Sequence, residues 1–310
     1  MLFSRESAAA LADRYHEYIR QMRPLRAMGF DRKANGVDFL LTGFRSFTQD
    51  ASGRPLPNPS GQILERLKIL ARSEPEPARE AAHFAVGIIT LAGYRCLTAV
   101  GNVDYATPPA FVELARFVRP RAVLNLGLGT QTSIESAALN QVNPARPSYD
   151  HDGVVIARLF PIGTLLDEAL PQDYELPLPW TPATLARLRR VTTVAGTARR
   201  ENDYLCNATA WLFARLMQPS KGEPQPLPWV TSTDWSGAES PGAESPGPEK
   251  PALKLLPHIE LMPLTEAGIQ QAGFLHLAPR PPQVSSNDYF LAATNLLVDV
   301  MRAILPDPVP

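Results

Sequence analysis

The sequence predicts an α/β protein built on a mostly parallel, twisted sheet with helices on both faces. Two observations carry that expectation. Short apolar or β-branched runs bounded by turn residues alternate with segments whose apolar side chains recur every three or four positions. Hydrophobic residues make up 45% of the 310, enough for a substantial core. Alternation of this kind favours parallel strands joined by right-handed helical crossovers.

The expected strands are Val37–Thr42, Ala85–Thr90, Ala122–Leu126, Val191–Val194 and Gly273–Leu277. The expected helices run from Gln62 to Arg72, Pro109 to Val118, Thr181 to Arg190 and Cys206 to Met217. A last one, from Asn287 to Leu305, is stopped by Pro306. The first 20 residues read as a further helix rather than an export signal, because Asp13 and Arg14 interrupt the Ala/Leu run that a signal would continue. The expected division is an N-terminal helical extension over 1–36 and a single catalytic domain over 37–310. That domain carries an insertion at 219–257 in which Pro, Gly, Ser and Glu dominate. The insertion's composition resists helix and sheet alike and reads as a solvated surface segment.

Charge narrows the partners. Thirty Lys and Arg against 31 Asp and Glu leave a net charge of -1, without the positive excess that nucleic acid or anionic membranes attract. No run approaches the roughly 18 to 20 apolar residues that span a bilayer. Two cysteines, Cys96 and Cys206, rule out a multi-disulfide scaffold and a four-thiolate zinc site, and suit a reducing, cytoplasmic setting. No metal and no cofactor are expected.

Ligands of open α/β sheets gather at the carboxyl ends of strands. Cys206 opens an apolar helix there, after the polar turn Asp203-Tyr204. A thiol at a helix N-terminus feels the positive end of the dipole and unpaired backbone N–H groups, which favour its ionised form. A lone cysteine is otherwise a small buried hydrophobe. A nucleophilic thiol needs a base, and His276, near the end of Gly273-Phe-Leu-His-Leu, would reach the rim of the sheet. Glu135 follows the strand ending at Leu126 and could orient that imidazole, although early in a helix the dipole alone favours an acidic residue. The nearby Gly127-Leu-Gly129 matches neither nucleotide-binding glycine pattern, so no nucleotide site is expected.

Taken in order, these segments resemble the pyroglutamyl peptidase I (pyrrolidone-carboxylate peptidase) family of cysteine peptidases. The matching stretches are Leu41-Thr-Gly-Phe-Arg-Ser-Phe47, Asn58-Pro-Ser60, Leu126-Gly-Leu128 with Ile134-Glu135 and Asn140, Tyr204-Leu-Cys-Asn207, and Gly273-Phe-Leu-His276 with Pro279. The resemblance implies a phosphorylase/hydrolase-like, three-layer α/β/α sandwich with Glu135, Cys206 and His276 as a catalytic triad. It also implies removal of N-terminal pyroglutamate from peptides through a thioester, with Phe44 and Phe47 flanking the lactam ring and Arg146 near the reacting carbonyl. A homo-oligomer would follow as well. Departures from the family pattern at Thr48-Gln49 and Glu201-Asn202 leave two alternatives open: an amidase with another N-acyl preference, and a weakly catalytic family member that acts as a binding or scaffold protein.

Overall fold

A computed structural model describes residues 2–3, 5–22, 36–47, 56–70, 84–150, 152–156, 161, 163–167, 169–196, 203–218, 231–232 and 263–306. Six helices are labelled in chain order: α1 (Arg5–Gln21), α2 (Pro59–Leu70), α3 (Thr107–Val118), α4 (Pro182–Val191), α5 (Leu205–Met217) and α6 (Ser286–Ile304). The main sheet has six strands: β1 (Phe39–Phe44), β2 (Phe84–Leu91), β3 (Tyr94–Gly101), β4 (Ala122–Leu128), β5 (Ser133–Ile134) and β6 (Gln271–Leu277). Their spatial order is β2-β3-β1-β4-β6-β5. The four central strands, β3, β1, β4 and β6, are parallel, and antiparallel β2 and β5 close the two edges.

The central strands are continuous apolar runs because the sheet is covered on both sides. All residues of β1 and β6 are buried. The helices that cover them fall into two packing groups. In one, α2 lies on β1, β3 and β4 and also meets α6, which packs on α4. In the other, α5 lies on β4 and β6 and meets α3, against which α1 packs.

Local chemistry fixes the helix ends. Thr181 accepts from the Thr184 N–H and Pro182 follows, its preset φ suited to the first helical turn. Ser285 accepts from the Asp288 N–H at 3.1 Å while the two side chains also bond, which starts α6. Asp104 does this for α3, its Oδ1 accepting from the Ala106 and Thr107 N–H groups at 2.8 and 3.1 Å. Its other oxygen, Oδ2, is held by Arg14 at 2.6 Å and by the Tyr18 hydroxyl. Helix α1 presents Leu11, Tyr15 and Tyr18 on one buried stripe, continued by Met22 just after it, so apolar packing and a buried ion pair both bind it to the start of α3.

Four differences from the sequence expectations have physical causes. Val191 is the last residue of α4 rather than the start of a strand, and Val194 makes only an isolated parallel bridge to Ile134. The four residues are too few and too exposed to form a ladder of their own, Val191 being 36% exposed. Glu135 is not in a helix. It sits between β5 and a short strand, Ala137–Leu139, which pairs antiparallel with Glu175–Pro177. Pairing with Glu175–Pro177 overrides the helical propensity of the Ser136-Ala-Ala stretch that follows it. Strand β3 follows β2 through a turn in which Ala92 and Gly93 both have positive φ, 51° and 88°, as a type I′ hairpin requires. Most of the 219–257 insertion lies outside the described residues, but Thr231–Ser232 pairs in parallel with Leu2–Phe3. A two-residue β-prone step is compatible with sheet even in a proline-rich stretch.

Candidate active site

The site is assembled at the carboxyl ends of β4 and β6. His276 is the sixth residue of β6, and the ladder sets it opposite Gly127 of β4. Gly127 is also where Cys206 arrives: a β-carbon at 127 would meet the Cys206 sulfur at 2.5 Å. Both residues therefore converge on one glycine. A β-carbon on Gly129 would meet the His276 β-carbon at 2.7 Å. The Gly127-Leu-Gly129 pair, unremarkable as a phosphate loop, leaves room for thiol and imidazole together.

Cys206 is the second residue of α5, preceded by Tyr204 in extended conformation with no side chain capping the helix. Its N–H is among the donors that an α-helix leaves without an i−4 partner. The thiol is half-buried and weakly contacts the Leu128 carbonyl at 4.0 Å. Asn207, the next residue, locks α5 to the neighbouring segment: its side chain donates to the Leu139 and Gln141 carbonyls and accepts from the Leu139 N–H.

Glu135 is fully buried, and His276 is 3% exposed. His276 Nδ1 lies 2.8 Å from Glu135 Oε1. The approach is off the N–H axis, since Nδ1, Nε2 and both carboxylate oxygens lack a well-aligned hydrogen-bond partner among the described residues. Burial alone would lower the imidazole pKa. Hydrogen bonding and charge attraction from Cys206 and Glu135 outweigh it and raise the value from 6.5 to about 9. At neutral pH the buried group is therefore an imidazolium lying between the Cys206 sulfur and the Glu135 side chain.

A cavity of about 310 Å³ opens beside Cys206 and His276. Phe44, Phe47 and Arg146 line it too, so five of the six candidate residues meet at one cavity, while Glu135 lies behind His276 and does not line it. Phe44 is buried against Phe111, and Phe47 stands edge-on to Tyr149 at 5.9 Å. Asn58 and Ser60 shape this wall: Asn58 donates to the Arg45 carbonyl, and the Ser60 hydroxyl accepts from the Phe44 N–H. The Arg146 side chain is 52% exposed, and its Nε lies 3.9 Å from Asp203 Oδ1. Tyr105 donates to the Arg146 carbonyl at 3.2 Å, and the Tyr204 hydroxyl donates to that of Pro147. Asp203 also lines the cavity and accepts from Asn143 at 3.0 Å. Sequence reading missed Asp203, whose place in the wall follows from long-range bonds to residues 143–146.

Thr48-Gln49 and Glu201-Asn202 lie outside the described residues. Among the described residues no three His, Cys, Asp or Glu side chains group as metal ligands do, and no helix is long and apolar enough to cross a membrane.

Among solved structures, this chain is similar to a pyrrolidone carboxyl peptidase from Thermococcus litoralis. The two are 18% identical, the match covers 86% of this chain and 93% of that one, and the TM-score is 0.44. Pyroglutamyl peptidase I from Bacillus amyloliquefaciens is 16% identical over 89% of this chain and 99% of its own, with a TM-score of 0.45. A pyrrolidone carboxyl peptidase mutant from Pyrococcus furiosus is 15% identical over 86% and 98%, with a TM-score of 0.46. A scan against protein-family models and a search of curated proteins each returned no match.

Proposed function

We propose that the protein is a metal-free cysteine exopeptidase that cleaves the bond after an N-terminal pyroglutamyl residue. The observation that carries this reading is the convergence of Cys206 and His276 on Gly127, with Glu135 2.8 Å behind the imidazole. In this reading the two helix groups form the outer layers of a phosphorylase/hydrolase-like α/β/α sandwich. Residues 37–310 are one catalytic domain, extended at the N-terminus by residues 1–36.

The chemistry follows from the charges. In this reading Cys206 attacks the pyroglutamyl carbonyl carbon as the thiolate of a thiolate–imidazolium pair, forming a C–S bond and a negative oxygen. The Cys206 N–H, at the positive end of α5, faces that charge, and Arg146 from the cavity wall supplements it. His276, protonated at neutral pH, gives its proton to the leaving amine as the C–N bond breaks. Water then attacks the thioester, His276 takes up the water's proton, and as the C–S bond breaks free pyroglutamate leaves a Cys206 thiolate beside the re-formed imidazolium. Glu135 keeps the imidazole oriented and offsets its charge throughout.

The cavity volume of about 310 Å³ lies at the small end of ligand pockets, which run to about 1,000 Å³. Phe44 and Phe47 give it apolar walls suited to a flat, neutral ring. Purified protein should release arylamine from a pyroglutamyl-arylamide, and Cys206→Ser should abolish the release. Turnover that survives the substitution rejects the thiol mechanism.

A second reading, an amidase with a different N-acyl preference, draws on Asp203. Its carboxylate beside Arg146 adds a charged feature to the wall that a neutral lactam does not require. A panel of N-acyl arylamides separates the two readings: a clear preference for an acyl group other than pyroglutamyl selects the second.

A further inference from the structure

We propose that Trp180 is a positioning residue for Glu135 and, through it, for His276; the catalytic meaning of this role rests on the peptidase reading above. Glu135 is held by its backbone on both sides. Its N–H donates to the Phe274 carbonyl at 3.0 Å, on the strand that carries His276 two residues later. Its own carbonyl accepts from the Trp180 indole N–H at 2.9 Å. The carboxylate that contacts His276 is thereby referenced to the strand bearing His276, with the indole as the brace on its outer side.

The brace is seated with little freedom. Trp180 is 8% exposed. Its six-membered ring lies over Gly273, where a β-carbon would come within 1.7 Å of the indole. Glycine at 273 is thus the space that the tryptophan fills. The segment leading to Trp180 runs alongside the one leaving Glu135: Leu176 pairs with Ala138, and the Leu178 N–H donates to the Ser136 carbonyl at 2.9 Å. Backbone pairing aims the indole, glycine admits it, and its N–H ends on the residue that orients the imidazole. A tryptophan filling core space alone would need no donor directed at this carbonyl.

Loss of the N–H leaves a buried carbonyl unpaired and frees Glu135 to shift against His276. Two full-length variants test the role. Trp180→Phe keeps an apolar ring without a donor, and Trp180→His sacrifices more bulk but retains a ring N–H. Each is measured for folding by circular dichroism, for the pH profile of Cys206 alkylation by iodoacetamide, and for kcat and KM on a pyroglutamyl-arylamide. Folded Trp180→Phe is expected to show a displaced alkylation profile and kcat lowered by about tenfold with KM little changed. Trp180→His is expected to lie closer to the native protein in both. An unmoved alkylation profile in folded Trp180→Phe, or identical behaviour of the two variants, overturns the role. If the native protein releases no arylamine while the Trp180→Phe profile still moves, the peptidase reading falls and the positioning role stands.

Discussion

Cys206 and Gly127 approach so closely that the cysteine sulfur occupies the space of a side chain at 127. The same α-carbon would force any β-carbon to within 2.7 Å of the Phe274 ring. A methyl group added there has two neighbours and no exit. Gly127→Ala is expected to cost on the order of 1–3 kcal/mol of stability through overpacking. It is expected to lower arylamidase activity by about a hundredfold through displacement of the sulfur. Thermal unfolding and steady-state kinetics measure both, and native-like activity would show that the sulfur is not confined by this contact.

The two cysteines should differ sharply in reactivity. Cys96 is fully buried in β3, and burial, reinforced by the charge of Asp38, pushes its thiol pKa up. Cys206 faces the cavity. Iodoacetamide applied to folded protein, followed by peptide mapping, is expected to label Cys206 and leave Cys96 intact. Equal labelling would contradict the burial of β3.

The raised pKa of His276 makes a directional statement about stability. A histidine whose folded-state value, about 9, exceeds its ordinary value of 6.5 binds a proton more tightly when folded. Its contribution is fully present below pH 6.5 and is lost as pH rises toward and through 9. The melting temperature should therefore decline over that window, and His276→Gln should flatten the decline. A native profile no steeper than that of the variant would remove the argument for a buried imidazolium. Proton donation to the leaving amine should fade over the same alkaline range.

The Arg14–Asp104 pair predicts a structural role for the first helix. Asp104 is completely buried and also caps α3, so removing its cationic partner strands a charge. Arg14→Ala is expected to cost about 3 kcal/mol, read as a lowered urea midpoint. The adjoining Val103 lines the cavity and Tyr105 holds the Arg146 carbonyl, so KM should rise as well. Unchanged stability would mean that α1 rests on apolar packing alone.

How legible all this was depends on the range of the forces involved. Strands β1, β4 and β6 are buried on both faces, and their continuous apolar runs are visible without a structure. The helix starts at Pro182 and Ser286 follow from local capping chemistry, and that at Leu205 from the polar turn before an apolar run. Strand β3 escaped notice because Arg95 and Thr98 break its apolar run, and because its hairpin turns at Ala92-Gly93 rather than at an Asn-Gly or Asp-Gly pair. Cys206, His276 and Glu135 could be singled out as strand-end or helix-start residues. The neighbours that seat them could not. Trp180 acts on a carbonyl 45 positions away, and the two glycines matter for what they leave out.

One buried polar chain links the three strands at the middle of the sheet: Thr42 donates to Asn125 at 2.7 Å, and Asn125 donates to the Gly273 carbonyl at 3.1 Å. Oily strands lying side by side could slide by two residues and still present greasy faces to their neighbours. A hydroxyl and an amide sealed among them cannot slide without going hungry for partners, so they act as a key that accepts one alignment of β1, β4 and β6. That alignment is also what sets His276 across from Gly127.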